Sequence, residues 1–517
     1  MRRFPALCTA ALAAVLLFPG GASAASPHAS GPVARTDKGA VRGVRDQGVD
    51  SFLGIRYAAP PTGNRRWRPP QPAAPWSGVA AATAYGNRCA AAASTNGPRT
   101  EAEDCLFVNV QRPAGLRAGD RRPVYVFIHG GGLVNGSSNQ ADMAAIVRQT
   151  GAVGISFNYR LGVLGFLGLA GLTAEGGESG NYGFQDQQAA LRWIQRNVAA
   201  FGGDPRRVTL GGESAGGWSV CGHLVAPGSR GLFAQAMMQS GSCTTQTEQQ
   251  AETSGAGLAS AVGCGDPATA VACLRRTPVS ALIDAPPPSF ALVRGTPTLP
   301  PDPAVAVAAG KFARVPVVIG SNRDEGRTFA QGYIGKSETD YTSFVTASFG
   351  AQAPAVLARY PWPATSDQFT AAYLVGAIMT DAGLIAGIGG CNDRRLTQDL
   401  ARWTTTYAYE FDHRTGPGLT PIPGYVWGAG HAAELAYLFP SFDNGTPIAP
   451  TFNAAERRLA RDMKAAWAGF AFRGTPGWPS YGRSRVFYSL RAGGDSRVIS
   501  DAAFAAEHQC GYWDSVA

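Results

Sequence analysis

Several short runs in this chain are apolar at every position rather than at alternate ones, and each ends abruptly in a polar or glycine-rich turn. VYVFI (Val124 to Ile128) stops at HGGGL, VGISF (Val153 to Phe157) at NYRLG, and VPVVI (Val315 to Ile319) at GSNRDEG. Arg207 to Leu210 runs straight into GGESAGG, and YAYEF (Tyr407 to Phe411) follows later. A strand with one face in water alternates, whereas a strand apolar on both sides has to lie in a sheet covered on both faces by helices. Between these runs, Phe184 to Phe201 sets Ala190, Leu191, Ile194 and Val198 on one helical face and stops at Gly202-Gly203. The alternation of strand and helix predicts an α/β fold built on a large, mostly parallel central sheet. In such sheets reacting groups gather at the carboxyl ends of the strands, which is where HGGG, ESAG and RDEG fall.

The N-terminus follows a different logic. Arg2 and Arg3 precede an apolar run from Ala6 to Phe18, which is broken by Pro19-Gly20-Gly21 just before Ala22-Ser23-Ala24. A positive start, a short apolar core and small residues at a cleavage point predict a secretory signal peptide over residues 1–24, removed on export. The run is too short for a membrane anchor, so the mature chain is expected to be secreted. Motif order argues for one domain over residues 25–517, although length alone allows more. Cys8 leaves with the leader. An even set of cysteines remains (Cys89, Cys105, Cys221, Cys243, Cys264, Cys273, Cys391 and Cys510), and in an exported chain that suggests disulfides. No C-x-x-C pair with a histidine cluster appears, so neither a metal nor another cofactor is expected. The net charge of +9 comes from scattered arginines rather than a basic stripe, which argues for solubility and against nucleic-acid binding.

With 66 glycines in 517 residues, a G-x-S-x-G match around Ser214 carries little weight alone. Its surroundings carry more. Val208 to Leu210 supplies a strand before it and WSVCGHLV can form a helix after it, with Gly212 and Gly216 leaving room for a crowded bend. That context makes Ser214 a nucleophile lifted on a strand-to-helix turn. HGGGL, His129 to Leu133, is the pattern of a loop that donates backbone N–H groups to an oxyanion. The base should follow an acid in sequence. Asp324 and Glu325 are equal candidates for that acid on the residues alone. Among the later histidines, His223 sits on the nucleophile's own helix, His413 ends a strand and His508 neighbours Cys510, so these read as structural. His431, in WGAGHAAEL, lies in a glycine-rich loop suited to reaching into a site.

These motifs, together with FLGIRYAAPPTGNRRWRPP, EDCLFVNV, NYRLGVLGFL, GNYGFQDQQAALRWIQRNVAAFGGDP and QSGS, span nearly the whole mature chain. The chain thereby resembles the type-B carboxylesterases, which include cholinesterases, liver-type carboxylesterases and bacterial p-nitrobenzyl esterases. The resemblance implies the α/β-hydrolase fold and a serine carboxylic ester hydrolase. It places the catalytic triad on Ser214, Glu325 and His431, deciding for Glu325 over Asp324. The oxyanion donors fall on the N–H groups of Gly131, Gly132 and Ala215, and Glu213 and Ser240 match supporting polar residues. It further implies disulfides Cys89–Cys105, Cys264–Cys273 and Cys391–Cys510; Cys221 and Cys243 remain and are expected to pair.

The implied partner is a small-molecule ester, with no membrane anchor and no nucleic acid. Where cholinesterases carry a choline-binding tryptophan, AAAASTNGPRTEAED has no aromatic residue, so choline esters are not the expected substrates. The prolines of APPPSF, Ala285 to Phe290, are expected to stand where phenylalanines narrow the cholinesterase acyl pocket. A lipase or polyester hydrolase of the same chemistry is the near alternative. A non-catalytic adhesion protein of the same fold is a distant one, since such members lose the serine. The sequons at Asn135 and Asn444 read as incidental.

Overall fold

The computed structural model describes residues 31–442 and 447–516, so the leader expected over residues 1–24, and Asn444, lie outside the described residues. Its centre is an 11-stranded sheet. From one edge the strands run Arg497–Ser500, Val486–Leu490, Thr406–Phe411, Val317–Asn322, Gln235–Gln239 and Gly203–Glu213. They continue through Arg122–Ile128, Val153–Phe157, Phe107–Pro113 and Val49–Arg56 to Val44–Asp46. Pairing is parallel from Val486–Leu490 through to Val153–Phe157 and antiparallel at both edges.

The strands are apolar throughout because each feeds two cores. In Arg122–Ile128, Val124, Val126 and Ile128 pack on one face, and Tyr125 and Phe127 on the other. Val317 and Ile319 divide from Val318 in the same way. The first face is covered by helices Tyr182–Asn197 and Ala215–Val225, which contribute Phe184, Leu191, Ile194 and Val220. The second is covered by Ala144–Thr150, Thr370–Asp381 and Ala454–Arg473, through Ile146, Ile378, Met463 and Trp467. Each such buried side chain contributes about 1.5–3 kcal/mol relative to exposure.

Element boundaries differ from the sequence-based expectation where tertiary pairing extends a strand. The expected strand at Arg207 to Leu210 spans Gly203–Glu213, because neighbouring strands pair with it as far as Gly212 on one side and Glu213 on the other. Val317–Asn322 likewise continues into polar residues that pair with Glu410 and Phe411. The helix expected over Phe184 to Phe201 is α-helical over Tyr182–Asn197. Its last turn, Val198–Phe201, tightens to 3₁₀ and ends at Gly202 with φ +82°. All the expected disulfides form, including Cys221–Cys243.

Candidate active site

Ser214 caps the junction between strand Gly203–Glu213 and helix Ala215–Val225, with φ +57° and ψ −124°. A non-glycine residue held in such a region costs roughly 1–3 kcal/mol and persists only when its surroundings over-determine it. Here they do. A Cβ on Gly212 would sit 2.4 Å from the Gly216 carbonyl oxygen, and one on Gly216 would sit 2.1 Å from that of Ile128. The strand, the bend and the helix therefore touch backbone to backbone, which leaves the Ser214 side chain one direction, into the cavity. Gly216→Ala is expected to cost about 1–3 kcal/mol or more by overpacking, and a lowered urea midpoint together with lost activity would register it. An unchanged midpoint would mean the contact is not as tight as its geometry shows.

The loop after strand Arg122–Ile128 meets this bend. His129 stacks on Tyr159 at 4.5 Å. Its carbonyl accepts from the Tyr159 hydroxyl at 2.9 Å, and burial holds its pKa down at about 4, so it anchors the loop as a neutral ring. Gly130 has to lack a side chain because a Cβ there would lie 2.6 Å from Glu213 Oε2. Gly131 and Gly132 have φ of +101° and +63°. The N–H groups of Gly131, Gly132 and Ala215 donate no hydrogen bond to any described residue. Ala215 is the first residue of its helix, whose opening N–H groups have no intrahelical acceptor.

Glu325 lies just past strand Val317–Asn322 and is fully buried. Its Oε1 accepts from the Ser240 hydroxyl at 2.5 Å and from the Asn322 N–H at 2.7 Å, while Oε2 faces His431 Nδ1 at 2.6 Å. Asp324, the alternative acid, points away: it accepts from Arg414 at 2.9 Å and from the Ala429 N–H at 3.0 Å. His431 arrives on the long loop after strand Thr406–Phe411, in a turn before the short helix Leu435–Leu438. Its Nε2 stands 3.2 Å from Glu213 Oε1, an oxygen left without a hydrogen-bond donor, and no hydrogen bond joins the ring to Ser214 Oγ in this conformation. Burial pushes the Glu213 carboxyl up to about 8. Burial opposes charge on His431 as well, but the nearby Glu213 and Glu325 carboxylates outweigh it and raise the imidazole to about 9.

Behind these groups lies Glu434, which sequence reasoning missed. It accepts from Gln239 at 3.1 Å and from the Asn322 side chain at 2.7 Å, tying neighbouring strand ends together. A buried glutamate three residues after His431 carries no local signal that could have found it. Of the other histidines that follow Ser214, His223 bonds Ser229 and Gln187, and His413 bonds Glu456, which are structural contacts.

Ser214, His431, Glu213, Gly131 and Gly132 line one cavity of ≈ 320 Å³. Apolar walls come from Phe127, Trp218, Phe329, Ile388 and Phe439, and a polar flank from Thr95, Asn96, Asn135 and Gln140. Among the described residues, no Lys or Arg lines it. The segment Ala285 to Phe290 does not line it either, which corrects the expectation for APPPSF. Phe290 packs instead against buried core residues. Ile385 and Ile388, far away in sequence, contribute to the apolar wall instead.

A two-faced parallel sheet with a serine raised between a strand and a helix defines the α/β-hydrolase fold. Residues 30–491 match the Carboxylesterase family. The chain is 34% identical to fumonisin B1 esterase of Sphingopyxis macrogoltabida, with 87% of this chain and 85% of that protein covered. It is 32% identical to cocaine esterase of Oryctolagus cuniculus (89% and 92% covered) and 31% identical to carboxylesterase 1D of Mus musculus (90% of each). The chain belongs to the carboxylesterase family and is a carboxylic ester hydrolase.

Proposed function

We propose that the protein is a secreted serine carboxylesterase, one domain over residues 25–517 released from a leader, that hydrolyses neutral esters through an acyl-enzyme on Ser214. The observation that carries this is the 2.6 Å contact between Glu325 and His431 Nδ1, at the cavity that holds the strained serine. Glu325 fixes the tautomer that leaves Nε2 free to accept a proton and stabilises the imidazolium as it forms. His431 Nε2 takes the Ser214 proton as Oγ bonds to the ester carbonyl carbon. The carbonyl oxygen becomes an oxyanion held by the N–H groups of Gly131, Gly132 and Ala215. Collapse breaks the bond to the alcohol, which leaves with the proton from His431; water then repeats the sequence on the acyl-enzyme. Because Nε2 rests beside Glu213, a small turn of the ring toward Oγ belongs to the acylation step, and such bonds commonly tighten only in the substrate complex.

The near-neutral, largely apolar cavity suits an ester with at least one hydrocarbon arm. No described helix is long and apolar enough to cross a membrane, and the disulfides suit export. Hydrolysis of p-nitrophenyl esters from C2 to C16, insensitive to EDTA and blocked by an organophosphate, is the expected result; no hydrolysis at any chain length would overturn the proposal. Rates on emulsified triglycerides beside dissolved short esters separate an esterase from a lipase.

The base has to be neutral, so kcat/KM is expected to rise with pH until His431 has lost its proton, near pH 9. A neighbouring carboxylate favours the imidazolium. Glu213→Gln should therefore move this limb toward lower pH, and a pH–rate profile with an unmoved limb would separate Glu213 from the base.

A further inference from the structure

The cavity walls are not equally supported. Phe127 sits on a central strand and Trp218 on the nucleophile helix, but Ile385 and Ile388 hang on the turn 382–389 between helices Thr370–Asp381 and Gly390–Ala401. This turn has positive φ at Gly383, Ala386, Gly387 and Gly389. Glycines there permit many other conformations, and Ala386, at φ +48°, is held where a Cβ is unwelcome. Something outside the turn has to select this shape.

The selecting contacts come from the segment after strand Gln235–Gln239. The hydroxyls of Ser242 and Thr244 both reach the Ala386 carbonyl, each at 2.6 Å. Gly387 lies against the same two residues, where a Cβ would be 3.2 Å from Ser242 Cβ and from Thr244 Oγ1. Between the two hydroxyl residues stands Cys243, bonded to Cys221 on helix Ala215–Val225, which Ser214 caps. Helix and segment also meet nearer the nucleophile, since a Cβ on Gly217 would lie 2.7 Å from Gly241 Cα. The segment is thus fixed to the nucleophile helix at two points and grips the cavity wall with two hydroxyls.

We infer that Ser242, Thr244 and the Cys221–Cys243 disulfide form a bracket that sets the position of the Ile385–Ile388 wall relative to Ser214, and so determines which hydrocarbon arm of an ester the enzyme accepts. These are positioning residues; none touches the reacting atoms. The inference rests on the reading of this cavity as the ester site. Small changes in a hydrophobic pocket change discrimination between substrates that differ by methylenes.

The test compares kcat and KM for p-nitrophenyl acetate and p-nitrophenyl octanoate in the full-length enzyme and in Ser242→Ala, Thr244→Val and Cys221→Ala/Cys243→Ala. Cys264→Ala/Cys273→Ala removes a disulfide that does not contact the turn and serves as the comparison. The octanoate-to-acetate ratio of kcat/KM is expected to move by about 3- to 10-fold in each bracket variant. The change should be carried mainly by KM, with the wild-type ratio kept when Cys264–Cys273 is removed. An unchanged ratio, an equal loss on both esters, or an equal shift in the comparison variant would overturn the inference. If the double cysteine variant fails to fold, the two single variants, which retain the disulfide, decide it. Hydrolysis of neither ester by the wild type would instead overturn the reading of the cavity itself.

Discussion

Ser214→Ala is expected to lower kcat for p-nitrophenyl acetate by about 10⁴-fold or more, with no change in the thermal midpoint. The size follows from what is lost. Without Oγ no acyl-enzyme forms, and only binding and oxyanion stabilisation remain, which in serine hydrolases leave a small residue of the full acceleration. The stability should survive because the bend is imposed by Gly212, Gly216 and the Ile128 carbonyl, not by the hydroxyl, which makes no hydrogen bond to any described residue. Alanine also gains no extra steric conflict at φ +57°. A loss of only tenfold would mean that another group supplies the nucleophile, and a large fall in thermal midpoint would mean that the serine is structural. Steady-state kinetics and a melting curve on the same preparation distinguish the three.

The second large effect concerns stability rather than rate. His508 is fully buried near the C-terminus, with Nδ1 2.6 Å from Asp381 and Nε2 2.8 Å from Glu410. Burial alone would lower its pKa, but the two carboxylates prevail and raise it to about 10. Asp381 also accepts from the Tyr360 hydroxyl at 2.8 Å, which in turn accepts from the Trp513 indole at 3.0 Å. The imidazolium thereby joins helix Thr370–Asp381, strand Thr406–Phe411 and the C-terminal segment. His508→Gln removes the cation held between the buried Asp381 and Glu410 carboxylates, and removing one partner of a buried ionic group costs about 3–5 kcal/mol. A urea titration should show that loss, while kcat of the fraction that stays folded is retained.

The pH dependence of that stability has a definite sign. A histidine whose pKa rises on folding contributes its full stabilisation below the unfolded value of 6.5, and the contribution fades as pH climbs through about 10. The wild type is therefore expected to lose more stability than His508→Gln between neutral pH and pH 10. Parallel curves for the two proteins would show that the cluster is not charged.

Much of this was legible in the chain because local signals and tertiary demands agree. Val124 to Ile128 had to be apolar throughout to feed two cores, and the same demand made it visible as a buried strand. Gly212 and Gly216 could be read because backbone contact at the bend forbids any side chain. What local pattern does not hold is which distant segments meet. Asp324 and Glu325 are adjacent and chemically alike; they differ only in that Arg414 and the Ala429 N–H take one, while Ser240, Asn322 and His431 take the other. The cavity wall was misplaced for the same reason. Ile385 and Ile388 lie in a turn without a motif, and only the fold brings them over Ser214. Glu434 stayed invisible because its partners, Gln239 and Asn322, end strands remote from it in sequence.

The most direct measurement is of the nucleophile itself. The enzyme is inactivated with an organophosphate such as paraoxon, digested, and the phosphorylated peptide sequenced by mass spectrometry. One phosphoryl group per chain, on Ser214, is the predicted result, with no label taken up by Ser214→Ala. A label on another residue, or equal labelling of the alanine variant, would contradict the account.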